Sequence, residues 1–196
     1  GASSADHSCL MGNPSYGDDG PKICWNGAKS WESGWYASDS LSVDPESAPF
    51  DGLLIGAADF ADNNYTPGEH RVVLQILDQT QSQDYYVMYN RKKGPNGEVN
   101  FHPDKVTVTM GKSGQVSWHQ AALGTNGEAN NFEKFRVSNF KGTAKDLVIK
   151  VCSLTAGPPD TAHVLVYVDD GPAYNNGVMC PGEVSCLTDD DCFGGD

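Results

Sequence analysis

From residue 51 onward the apolar residues recur with a period of two, and that alternation restricts most of the chain to extended, sheet-forming structure. Val106, Val108 and Met110 alternate with Thr107 and Thr109, and Val116 and Trp118 alternate with Ser117 and His119. Leu147, Ile149 and Val151 share one face, and Val164, Val166 and Val168 share another. The runs 71–77 (RVVLQIL) and 85–89 (YYVMY) are apolar or aromatic on both faces, the mark of strands covered on both sides. Turn residues separate these runs: Pro67-Gly68, Gly94-Pro95-Asn96-Gly97, the stretch 111–114, Asn126-Gly127 and Gly157-Pro158-Pro159. The pattern predicts a mostly β protein, an antiparallel sandwich or jelly roll of about eight strands.

One stretch carries a helical period instead. Over 23–36 (ICWNGAKSWESGWY), Trp25, Ala28, Trp31 and Trp35 fall on one stripe, which predicts a short helix held by packing. Gly27 and Gly34 lower its intrinsic propensity. Three tryptophans so close together read as a buried seam. The expected cover for that seam is an upstream half of the protein or a second subunit, because the sandwich has its own core to close.

Charge narrows the partners. Thirteen basic against 26 acidic residues give a net charge of −13, which disfavours nucleic acid and anionic membrane surfaces. No apolar run reaches the length of a membrane span, so no span is expected. The charge is blocked: residues 1–90 hold 3 basic and 13 acidic groups, 91–150 hold 10 and 5, and 151–196 hold none and 8. Acidic pairs such as Asp18-Asp19 and Asp169-Asp170, and the run 189–191, lie in turn-rich sequence. Solvated acid is the default there. Such oxygen-rich loops also suit calcium, although none follows the EF-hand pattern.

Cys9, Cys24, Cys152, Cys180, Cys186 and Cys192 form no C-x-x-C pair, so disulfides in an oxidising, extracellular compartment are expected rather than structural zinc. Six cysteines allow about 15 complete pairings, among which sequence does not choose. Pairing neighbours along the chain closes the shortest loops, giving Cys9–Cys24, Cys152–Cys180 and Cys186–Cys192. Asn64-Tyr65-Thr66 is a glycosylation sequon, weakened by Pro67. The histidines His7, His70, His102, His119 and His163 make no H-E-x-x-H helix, and no G-x-S-x-G elbow or P-loop is present.

Residues 8–36 carry a specific signature. Ser8-Cys9-Leu10-Met11-Gly12-Asn13-Pro14, Cys24-Trp25-Asn26-Gly27-Ala28-Lys29-Ser30-Trp31 and Gly34-Trp35-Tyr36 resemble the end of the catalytic domain in gametolysin-type metallopeptidases. That family shows an S-C-x-M-G turn and a closing helix of the form C-x-N-x-x-K-x-W…G-W-Y. The resemblance makes Met11 the Met-turn residue, whose thioether floors a zinc site without ligating it, and links Cys9 of the turn to Cys24 of the closing helix. Tyr85-Tyr86-Val87-Met88-Tyr89-Asn90-Arg91 with Gly94-Pro95-Asn96, and the strand 146–152, resemble the same family more loosely. The family's zinc helix precedes its Met-turn, and Ser4-Ala5 stand where the family has Tyr-Gly, so no ligand role is carried onto His7.

These readings divide the chain into 1–46, the turn and closing helix of a metallopeptidase-like domain; 47–170, the sandwich; and 171–196, a cysteine-containing tail or the start of a further module. No catalytic or metal-ligating residue is assigned. The expected function is that of a secreted, non-catalytic C-terminal portion of a gametolysin-like zinc protease acting on extracellular or cell-wall proteins. Zinc is expected only in a longer parent, and the partners are an upstream catalytic half, neighbouring subunits or extracellular glycoproteins. Two other classes fit the residues: an extracellular structural subunit of a fibre or matrix, and a carbohydrate-binding module stacking sugars on Tyr85, Tyr86, Tyr89 or Trp118.

Overall fold

Period-two sequence becomes two facing sheets in the computed structural model, which describes residues 24–62, 65–78, 83–112, 114–125, 133–170 and 178–183. The strands are β1 (Ser40–Val43), β2 (Phe50–Ile55), β3 (His70–Arg71), β4 (Val73–Ile76), β5 (Asp84–Asn90), β6 (Lys105–Gly111), β7 (Ser117–Leu123), β8 (Lys134–Val137), β9 (Asp146–Thr155) and β10 (Thr161–Asp169). They form one sheet of order β1-β4-β5-β6-β7 and a second of order β3-β2-β10-β9-β8. The protein is a β-sandwich. Ten strands are present among the described residues rather than eight. Pairing is antiparallel except at β1–β4 and β2–β3, which run parallel.

The inward faces are those the alternation marks. Leu74, Ile76, Tyr85, Val87, Tyr89, Val106 and Val108 from the first sheet meet Leu54, Leu147, Ile149, Val151, Val164 and Val166 from the second. Each such fully buried aliphatic side chain contributes about 1.5–3 kcal/mol relative to exposure. The outward residues of β5, Tyr86 and Met88, are buried too, beneath α1 (Gly27–Ser33). Two-sided burial therefore explains why 85–89 has no polar face.

Three sequence expectations change. The apolar run 71–77 is not one strand: Arg71 ends β3 in the second sheet and Val73 begins β4 in the first. The chain crosses between layers at Val72, whose N–H donates to the Asp39 carbonyl at 2.8 Å. Val116 lies outside β7 and is 47% exposed, so that strand begins one residue later. The helix is half as long as the stripe suggested. Asn26 caps it by accepting from the Lys29 N–H at 3.0 Å, and Gly34 ends it in the left-handed conformation at φ 69°.

Within the described part of 1–46, β1 is a strand of the first sheet, and α1 lies against β4, β5 and β6 of the same sheet. On the opposite side, Val178 and Cys180 cover Val148, Leu165 and Tyr167 on the outer face of the second sheet.

Candidate functional site

The signature residues of α1 and of the β5 turn meet each other. The Cys24 N–H donates to Asn96 Oδ1 at 2.9 Å, and Asn96 Nδ2 donates to Asn90 Oδ1 at 2.8 Å and to the Arg91 carbonyl at 3.0 Å. Asn90 in turn donates to the carbonyls of Phe101 and His102. Asn26 Nδ2 donates to Ser117 Oγ at 2.9 Å, and Lys29 Nζ donates to the Gln115 carbonyl at 2.8 Å. Asn26, Asn90 and Asn96 are all buried, so these carboxamides replace water for backbone groups that no strand ladder reaches. The residues Cys24, Asn26, Lys29, Asn90 and Asn96 thus form a clamp that fixes the helix to the sheet. Gly27 permits its close approach, since a Cβ there would lie 3.2 Å from Tyr86 Cβ.

The clamp leaves the three tryptophans in different places. Trp31 packs on the sandwich, its ring 6.2 Å from that of Tyr86. The sandwich therefore covers this part of the seam, where an upstream half or a second subunit was the favoured cover. Trp25 and Trp35 flank the helix ends and stack on each other at 4.2 Å, with Trp35 59% exposed. They border an apolar groove of about 430 Å³ together with Cys24, Tyr36, Phe60 and Pro95. The wall opposite the tryptophans comes from α2 (Ala57–Ala61), where Phe60 meets Tyr36 edge-on at 5.1 Å. Burial raises the Tyr36 phenol to about 12 and also raises the Cys24 thiol, so both are neutral near pH 7 and the groove is uncharged.

A second, polar cleft of about 540 Å³ opens on the other side of α1. Its helix wall holds Lys29, Trp31 and Glu32; its sheet wall holds Gln75, Asp78, Asp84 and Tyr86; its rim holds Lys112 and Gln115. The Lys29 ammonium at 2.7 Å and the Gly114 N–H hold Glu32 below the usual carboxylate range. Asp84 accepts from Gln75 Nε2 at 2.8 Å and from the Asp78 N–H at 3.0 Å. Nothing in the sequence marks these residues as a set, because they come from a helix, two strands and a turn. The Lys29–Glu32 pair, three apart on α1, is the one local sign.

The three described cysteines divide between a disulfide and a thiol. Cys152 and Cys180 are joined by a disulfide with Cα atoms 5.2 Å apart. Cys24 is half-buried and bonded to no cysteine among the described residues. Met11, Cys9, Cys186, Cys192, Asn64 and His7 lie outside the described residues. Tyr85, Tyr86 and Tyr89 are at most 6% exposed, which removes them as a stacking platform. Trp118 is half-buried on the edge strand β7.

The charge blocks close on themselves. Arg91 binds Asp104 and Asp160, Lys93 binds Asp59, and Arg136 binds Asp146 and Asp169. Lys141 binds Asp44, and Lys150 binds Glu183. Arg91, Lys93, Arg136, Lys141 and Lys150 of the basic middle thus each pair with an acid of the flanking blocks. Among the described residues no group of three or more His, Cys, Asp or Glu side chains is placed to hold a metal ion. No helix among them is long and apolar enough to cross a membrane. Comparison of the chain with protein-family models, curated proteins and solved structures returned no match.

Proposed function

We propose that the chain is the non-catalytic C-terminal portion of a secreted gametolysin-type zinc metallopeptidase, and that its apolar groove receives the catalytic half. The observation that carries this reading is the Trp25–Trp35 stack. Two indoles of the signature segment sit together at the surface, Trp35 59% exposed, beside a groove walled by further aromatic rings. Each such ring buries roughly 150–250 Å² when covered, and contiguous apolar patches of this size mark interaction sites.

In this reading the parent hydrolyses peptide bonds in extracellular or cell-wall proteins with a zinc-activated water, while the sandwich holds the catalytic half in place. The described residues supply no nucleophile, base or metal ligand to that chemistry; they supply a rigid face. The disulfide between Cys152 and Cys180 agrees with an oxidising compartment.

Quenching of the indoles by acrylamide tests the proposal. In the chain alone Trp35 is expected to be quenched; in the parent protein it is expected to be shielded, with stoichiometric zinc and chelator-sensitive proteolysis. A parent without an H-E-x-x-H helix, or with Trp35 equally open, overturns the reading. Shielding that appears only with rising concentration of the isolated chain would instead favour the structural-subunit class.

A further inference from the structure

We infer that the polar cleft between α1 and the turn joining β6 to β7 binds a neutral hexose unit of a glycan. Its volume of about 540 Å³ lies within the roughly 300–1,000 Å³ of small-molecule sites. The chemistry of its walls selects the ligand.

Carboxylates at Glu32 and Asp84 and ammonium groups at Lys29 and Lys112 line the cleft, while Asp78 is 1% exposed and engaged within the protein. An anion would meet two carboxylates, and a polycation would meet two ammonium groups. A ligand satisfied by both signs must donate and accept in similar measure without net charge, as vicinal hydroxyls do. Glu32 and Asp84 are already oriented by their own hydrogen bonds, and each carboxylate keeps lone pairs for further donors. The Trp31 indole N–H, the Lys112 ammonium and the Gln115 carboxamide remain as donors with no partner among the described residues. The Trp31 ring adds a flat apolar surface of the kind that covers the C–H face of a sugar.

A peptide backbone also carries donors and acceptors, but it is bound most readily along a free strand edge. The strands under this cleft, β4, β5 and β6, are each paired on both sides, so no edge is free there. Tyr85, Tyr86 and Tyr89, named in the carbohydrate-binding alternative, are buried. The helix tryptophan and the strand-end polar groups take that role instead. This inference stands independently of the protease reading.

The test is a titration of the isotopically labelled chain, followed by nuclear magnetic resonance. The probes are glucose, galactose, mannose and their neutral disaccharides, with galacturonate and trilysine as charged comparators. A neutral sugar is expected to shift the Trp31 indole and Gln115 carboxamide signals saturably. Lys112→Ala and Gln115→Ala, both at exposed positions, are expected to weaken that binding about tenfold each while leaving the melting temperature unchanged. Any of three results overturns the inference: no cleft signal moves with a neutral sugar, only a charged comparator binds there, or both variants bind as the parent does.

Discussion

Replacing Asn96 by alanine removes the centre of the clamp that holds α1 to the sheet. The side chain is 4% exposed and makes three hydrogen bonds, to the Cys24 N–H, Asn90 Oδ1 and the Arg91 carbonyl. The carbonyl keeps a second donor, the Lys93 N–H at 3.0 Å, so two groups are stranded rather than three. A buried group left without its partner costs about 1–3 kcal/mol, which puts the substitution near 3 kcal/mol. For a domain of this length that lowers Tm by roughly 6–12 °C. Asn96→Asp keeps the shape and the acceptor for Cys24, but it sets an acceptor against Asn90 Oδ1. Asn90 cannot turn its amide to compensate, because its Nδ2 serves the carbonyls of Phe101 and His102 at 3.0 and 2.9 Å. Asn96→Asp should therefore cost at least as much as alanine at neutral pH. Urea unfolding gives the global cost, and amide exchange at Cys24 reports opening of the clamp itself. If both variants unfold within about 0.5 kcal/mol of the parent, and the Cys24 amide exchanges no faster, the clamp argument is wrong.

Three further outcomes follow from particular contacts. Gly27→Val places a Cβ 3.2 Å from Tyr86 Cβ and adds two methyl groups beyond it, so calorimetry should show a loss of about 1–3 kcal/mol; an undiminished Tm would mean the helix rides loosely on β5. Burial raises the Tyr36 and Tyr89 phenols to about 12, well above their unfolded value near 10. Their neutral forms thus stabilise the fold fully below pH 10, and that contribution fades as pH rises toward 12. Ultraviolet titration should accordingly find late-ionising phenolates in the folded chain and an ordinary titration in urea; a single ordinary transition in both would contradict their burial. Cys180→Ser opens a cross-link spanning 28 residues, worth about 3–4 kcal/mol by loop entropy, and should increase dye binding as Val148, Leu165 and Tyr167 are uncovered. No gain in dye binding would show that Val178 and its neighbours cover that face without the cross-link.

The sequence by itself determined the class of fold and much of the core. Side chains alternate strictly in an extended chain, so Val106 and Val108, or Leu147, Ile149 and Val151, could only share a face. Tyr85 to Tyr89 had to be covered on both sides, because neither face of that run tolerates water, and α1 is the cover. Capping chemistry was also present locally, in Asn26 and Gly34, although the tryptophan period ran past both and hid the helix ends. What the tertiary structure decided is everything that depends on which segments meet. A period of two says which residues point together but not which layer they join, and so one apolar run was divided at Val72 between two sheets. The groove takes Trp25 and Trp35 from the helix flanks, Phe60 from α2 and Pro95 from the β5 turn; the polar cleft takes Glu32, Asp84 and Gln115 from three other places. Residues so far apart in the chain share no spacing that a sequence could display, and only strand pairing and the asparagine clamp bring them together.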